Sequence, residues 1–241
     1  NRFTPQRLAL WDFVTAGGLG QPYFAATLAT APYWHPSRGE QSEWMYLQSE
    51  GGGYLNGMAS HELDYLQTLL GRAVAVAADV RTVVAERPRP DGTVLKVDAD
   101  DTSSLILRLE SGAVATVSTS VVGLHANSAV FELLGSANTV RAERGPDGAN
   151  RFLHGGVGED GLRPLEFEPR ALRSGVEWPA GKTSSSSRHA MAVMLEEWLP
   201  AFQGQPTRVP SIRDGWRVQR LIGAARESSA GAGWVELPES G

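Results

Sequence analysis

Cysteine is absent from this 241-residue chain. That excludes disulfides, thiolate nucleophiles and thiolate metal sites, and it suits a reducing cytoplasm. No apolar run approaches the roughly 20 residues that a membrane-spanning helix needs, and no signal-peptide pattern opens the sequence. Basic blocks are lacking as well. The formal net charge is −5, so the clustered Lys/Arg footprint of a nucleic-acid binder is not there. What remains is an ordinary globular composition, 41% hydrophobic and 20% charged, long enough for one large domain or two small ones.

The stretch with the most chemistry is Gly51 to Gly71, GGGYLNGMASHELDYLQTLLG. Leu55, Met58, Ala59, Leu66, Leu69 and Leu70 recur at helical steps and predict an apolar stripe. Gly57, His61, Asp64 and Thr68 share a second face. A helix with an apolar back, a bare glycine, an imidazole and a carboxylate one turn on suits a small polar ligand. A histidine on a helix also occurs as a purely structural residue. Ser60 and His61 are adjacent and point about 100° apart, so they form no nucleophile–base pair.

Upstream, Thr4 and Pro5 read as the N-cap and first residue of a helix whose apolar face carries Leu8, Leu10, Trp11, Phe13 and Val14, ended by Gly17 and Gly18. Residues 22–31 read as a strand. The irregular, aromatic-rich segment from Pro32 to Glu50 follows. Trp34 and Trp44 there read equally well as walls of a sugar or polyol pocket and as plugs beneath a loop.

Downstream, alternation from Val74 to Val84 predicts a strand, and residues 87–93 predict a turn or loop. Residues 102–109, 113–122, 128–134 and 139–143 read as successive strands. Tight turns at Ser111-Gly112 and residues 135–138 make neighbours antiparallel, giving a meander. Gly156-Val-Gly158-Glu-Asp-Gly161 has the spacing of a dinucleotide fingerprint, but its flanks, with Pro164, fit neither a buried strand nor a helix start. It reads as a loop. Residues 188–203 read as a helix with Met191, Met194, Leu195, Trp198 and Phe202 on one face. Ser211 to Asp214 reads as a capping box with Asp in place of Glu, opening a helix that buries Trp216, Leu221, Ile222 and Ala225. Residues 234–237 form a last strand.

These pieces resemble the C-terminal domain of the Gfo/Idh/MocA (glucose-fructose oxidoreductase / inositol dehydrogenase) family nearly end to end. The resemblance runs through RFTP and GGLG, the tryptophan-bearing loop, GGGYLNGMASHELDYLQTLLG, FELLGSANTV and DGWRVQRLIGAARESSAGAGWVEL. It implies an α+β fold, an open, largely antiparallel sheet covered by helices on one face and often used for oligomerisation. It implies NAD- or NADP-linked chemistry on a sugar, cyclitol or related carbinol, with His61 in proton transfer, a task that suits imidazole. Trp34, Trp44, Tyr54, Gly57 and Asp64 are then the candidate substrate-side residues. The family's nucleotide-binding domain and lysine-bearing motif would precede Asn1. Residues 1–241 are accordingly expected to form one substrate-binding and oligomerisation domain, with 1–20 leading in from a Rossmann domain. This chain alone is expected to bind no dinucleotide and no metal and to be inactive. Trp11 or Phe13 should then be short of cover. Many active members carry Asp where this chain has Gly57, and Asp64 either substitutes for it or is structural. The rival reading is a non-catalytic regulator on the same fold, binding a ligand or a protein.

Overall fold

The computed structural model describes residues 2–38, 42–144, 150–166, 172 and 184–239. The chain runs through helix α1 (Pro5–Thr15), strand β1 (Pro22–Thr30), a π-helical turn (Leu55–Ala59) continuing into α2 (Ser60–Leu70), β2 (Ala73–Arg81), and the short strands β3 (Glu86–Pro88) and β4 (Val94–Lys96). Then come β5 (Thr102–Leu109), β6 (Val114–Ser120), β7 (Ser128–Gly135), β8 (Asn138–Arg144), β9 (Asn150–Gly156) and β10 (Arg163–Pro164). Helices α3 (Ser184–Trp198) and α4 (Ile212–Glu227) and strand β11 (Val235–Glu236) complete it.

Among the described residues, nine strands form one open sheet in the order β10-β9-β8-β7-β1-β6-β5-β2-β11. Only β1 with β6 is a parallel pair; the other pairings are antiparallel. The fold is α+β, as the sequence implies. The simple meander needs correction, because β1 lies between β6 and β7. The β5–β6, β7–β8 and β8–β9 neighbours are antiparallel as expected. Residues 121–127 instead step over β1, which needs about 10 Å, two strand spacings.

Alternation decides which face is buried. Leu105, Leu107 and Leu109 of β5 and Ala115 and Val117 of β6 point into the core. Ser103 and Thr119 point the same way, and their hydroxyls satisfy each other at 2.9 Å. A one-residue slip would break that buried pair and turn the leucines outward. The π turn and helices α2 and α4 cover this face through Leu55, Leu63, Leu66, Leu221, Ile222 and Ala225. The opposite face exposes Leu28, Ile106, Val114 and Val130.

Several expected faces turn out differently. Met58 is exposed, while Leu63 and Tyr65 are fully buried. The π turn adds a residue to its turn and shifts the helical register, leaving Met58 outside. Trp216 is also exposed. It stands five residues before Leu221, about 140° away around the helix. On α3, Val193 is buried in a small cluster with Phe3, Leu8 and Leu172, and Met191, Leu195 and Trp198 face outward, as does Phe202 in the 3₁₀ turn Leu199–Gln203 that follows. Strand β2 ends at Arg81 rather than Val84, because the Val83 and Val84 N–H groups donate to the Asp101 carboxylate at 2.9 Å each. Arg87 and Pro88 belong to the β3–β4 hairpin, so the turn occupies only residues 89–93. Gly156 ends β9, and the rest of the segment to Gly161 lies in the turn before β10, as expected.

Trp11 and Phe13 are half-buried rather than uncovered. Trp11 has Phe3 against its edge and the Arg208 guanidinium 4.2 Å from its ring centre. Phe13 packs on His154.

Candidate functional site around His61

The site begins with the turn that aims the helix. Short 3₁₀ turns at Glu43–Tyr46 and Gln48–Glu50 lead into the three glycines. Gly53 takes φ +103°, and a Cβ there would lie 2.4 Å from Asp100 Oδ1. Only glycine accepts both conditions. Asp100 is buried and anchors the helix start from across the fold. Its backbone oxygen accepts from the Tyr54 N–H at 2.8 Å and its Oδ2 from the Leu55 N–H at 2.7 Å, while Arg226 donates to its Oδ1 at 3.3 Å. The carboxylate thus satisfies an N–H that a helix start leaves open and suits the positive end of its dipole. Sequence reasoning overlooked Asp100, since nothing in its spacing connects it with a helix 45 residues upstream.

The helix presents His61 one residue into α2, just past the π turn. The imidazole is exposed. Among the described residues neither ring nitrogen has a hydrogen-bond partner. Desolvation by the protein on one side lowers its pKa below the usual 6.5; Arg7 adds to this, and Glu62 and Asp64 oppose it. At neutral pH the ring is therefore uncharged and has a lone pair to accept a proton. Gly57 sits one turn earlier. A Cβ there would meet nothing within 4 Å, so the surface beside the imidazole is open at this point.

Asp64 does not support the imidazole. Its carboxylate is held at two points by Arg2, with Nε to Oδ2 at 2.7 Å and Nη2 to Oδ1. Glu62 is likewise paired with Arg7. Arg7 stacks 4.6 Å from the Tyr65 ring centre, and the Tyr65 hydroxyl donates to the Arg7 carbonyl at 2.6 Å. These contacts lock α1 onto α2.

The aromatic residues divide. Trp34 is buried, with ring centres of Tyr46 and Tyr54 at 5.3 and 6.2 Å. Arg87 covers Tyr46 and donates to the Trp34 carbonyl at 2.5 Å. For Trp34 this is the geometry of a plug. Trp44, on the first 3₁₀ turn, is exposed. Tyr54 is buried against Trp34, and its hydroxyl pKa is pushed up to about 12 by burial, with Tyr33 and Glu62 adding to it. Tyr54 is thus a neutral phenol near the Glu62 side of α2. Among the described residues no group of three His, Asp or Glu side chains could hold a metal ion, and no helix is long and apolar enough to cross a membrane.

Comparison with known proteins agrees with this architecture. An uncharacterized oxidoreductase of Synechocystis sp. is 28% identical over 205 residues, covering 81% of this chain and 53% of that protein. Levoglucosan dehydrogenase of Pseudarthrobacter phenanthrenivorans is 25% identical over 223 residues, covering 86% and 57%. A solved levoglucosan dehydrogenase in complex with NADH and levoglucosan superposes with a TM-score of 0.81 at 22% identity, covering 98% of this chain and 64% of that one. At that identity the likeness shows the fold. The chain therefore spans between half and two-thirds of the length of these relatives. Residues 8–141 match the family model described as the GFO/IDH/MocA C-terminal domain, and with more than half its length matched, the chain belongs to the GFO/IDH/MocA oxidoreductase family.

Proposed function

We propose that this chain is the substrate-side and oligomerisation domain of an NAD- or NADP-dependent oxidoreductase acting on a sugar, cyclitol or related carbinol. His61 is its proton-transfer residue. The observation that carries the reading is the imidazole itself: exposed, free of hydrogen bonds among the described residues, and partly desolvated, which lowers its pKa. In this reading His61 accepts the hydroxyl proton as a carbinol becomes a carbonyl, and returns it in the reverse direction. A nicotinamide supplies the hydride acceptor. The β9–β10 turn has the glycine spacing of a dinucleotide fingerprint but no helix opening after it, and in this reading the cofactor is held mainly by residues outside these 241. Gly57 leaves room for the ligand, with the exposed Trp44 as its aromatic wall, while Tyr54, buried against Trp34, belongs to the support beneath. Trp34 and Asp64 serve the scaffold beneath. The exposed sheet face carrying Leu28, Ile106, Val114 and Val130 is the proposed contact between copies.

The test is to assay the protein with its natural upstream sequence on sugars and polyols with both nicotinamide cofactors. His61→Asn should lower kcat by about 10²- to 10⁴-fold with the fold retained. Unchanged turnover in that variant would remove the mechanism.

One observation favours a second reading. Asp64 is committed to Arg2, and position 57 is glycine, so His61 has no carboxylate to orient it. This suits a non-catalytic regulator that binds a ligand or a protein on the same surface. Turnover with no tested carbinol, combined with saturable sugar binding that His61→Asn weakens, would select the regulator.

A further inference from the structure

A second cleft, of about 390 Å³, opens at the other end of α2, where α4 and the segment after β11 meet it. Four guanidinium groups line it, from Arg72, Arg213, Arg217 and Arg220, against the single carboxylate of Glu239. The cleft is distinct from the His61 surface. Its α2 lining residue, Gln67, stands about 9 Å further along the helix than His61 and about 120° around it.

The arrangement on α4 is unusual in its own terms. Arg213, Arg217 and Arg220 are spaced four and three residues apart, so they form one stripe, with Trp216 among them. Like charges at this spacing repel and destabilise a helix. The surrounding protein offsets part of that. Arg220 donates to the Pro238 carbonyl at 3.0 Å and stacks 4.8 Å from the Trp216 ring centre. Arg72 donates to the Leu237 carbonyl at 3.1 Å, and its buried Nε, which has no hydrogen-bond partner, forms ion pairs with Glu110 at 3.4 Å and Glu239 at 4.0 Å. Arg213 makes no hydrogen bond or ion pair among the described residues. Asp214, the nearest carboxylate to Arg217 on the helix, is turned to Ser211 and Arg2. The exposed side chains of Ile212 and Trp216 line the same cleft beside the arginines.

We propose that this cleft binds a small organic anion. Its carboxylate or phosphate group sits on the arginines, and its apolar body lies against Trp216 and Ile212. Guanidinium forks match both kinds of oxyanion, and the volume falls within the usual range for small-molecule sites. The proposal is independent of the role of His61.

The test is isothermal titration of the full chain with benzoate, phenyl phosphate, inorganic phosphate and uncharged benzamide, with tryptophan fluorescence as a second signal. Benzoate or phenyl phosphate should bind with a Kd below about 1 mM, whichever is tighter naming the head group. The double variant Arg213→Gln/Arg217→Gln should weaken that binding by about tenfold or more. Trp216→Ala should weaken the aromatic anions and leave inorganic phosphate unchanged. Benzamide binding as tightly as benzoate would overturn the anion site. So would indifference to the double variant, or absence of binding by both aromatic anions. Inorganic phosphate binding as tightly as phenyl phosphate would remove the apolar half of the proposal. Circular dichroism of each variant confirms that it is folded.

Discussion

Arg2 holds Asp64 at two points, Nε to Oδ2 at 2.7 Å and Nη2 to Oδ1, and so takes from His61 the carboxylate that follows it on the same helix. The pair is well shielded, with side-chain exposures of 8% for Arg2 and 22% for Asp64. Removing Arg2 leaves Asp64 desolvated and without its partner, whereas removing Asp64 leaves Arg2 with only Asp214, 3.6 Å away. Arg2→Ala should therefore cost about 1–3 kcal/mol of stability, read as a lower urea midpoint at unchanged slope. Asp64→Asn should fall in the same range and leave turnover per folded molecule intact. A collapse of kcat in a stable Asp64→Asn protein would return that carboxylate to the chemistry.

Two glycines four residues apart should respond oppositely to alanine. At Gly53 the added Cβ meets Asp100 and the backbone sits at positive φ, so Gly53→Ala should destabilise by about 1–3 kcal/mol. At Gly57 the Cβ enters open space, and Gly57→Ala should be neutral or stabilise by up to about 1 kcal/mol, because it lowers the entropy of the unfolded chain. Thermal melts of the two variants decide. Equal losses at both positions would mean that the π turn itself requires glycine at 57.

The imidazole of His61 should titrate below 6.5 in the folded protein, since desolvation leads the causes that lower it. The sign for stability follows. Between the folded value and 6.5 the unfolded chain binds more protons, so folding is disfavoured as pH falls through that window and unaffected above it. Imidazole NMR across pH 5–8 gives the midpoint. Gly57→Asp places a carboxylate one turn away and should move it upward. A wild-type midpoint above 6.5 would contradict the surroundings described for the ring.

What could be read along the chain was local, and what escaped was not. The Ser211–Asp214 capping box is present in both its bonds, because a cap is chemistry within four residues. The bounds of β5 match those read from alternation alone. The insertion of β1 between β6 and β7 was not legible, since it joins segments some 90 residues apart that carry no matching local sign. The same holds for Asp100 beneath the helix start. Stripes of apolar residues located the helices but not their buried sides. Trp216 and Met58 are as apolar as their buried neighbours, and only packing distinguishes them. His61 was visible as an imidazole on a polar helix face; that Asp64 turns to Arg2 depended on a side chain 62 residues away.

Trp34 and Trp44 separate the plug from the wall. Trp34 is 8% exposed and packed edge-on by two tyrosines, whereas Trp44 is 46% exposed. Truncating Trp34 opens a cavity inside the aromatic cluster, so Trp34→Ala should cost about 3–5 kcal/mol. Trp44→Ala should change stability by less than about 0.5 kcal/mol, as exposed positions do. If Trp44 lines the sugar surface, its loss should instead raise KM with kcat nearly unchanged, the signature of binding shared equally by ground and transition states. Denaturant melts and steady-state kinetics on the two variants measure both effects. A Trp44→Ala protein with wild-type KM on every accepted carbinol would take that residue out of the site.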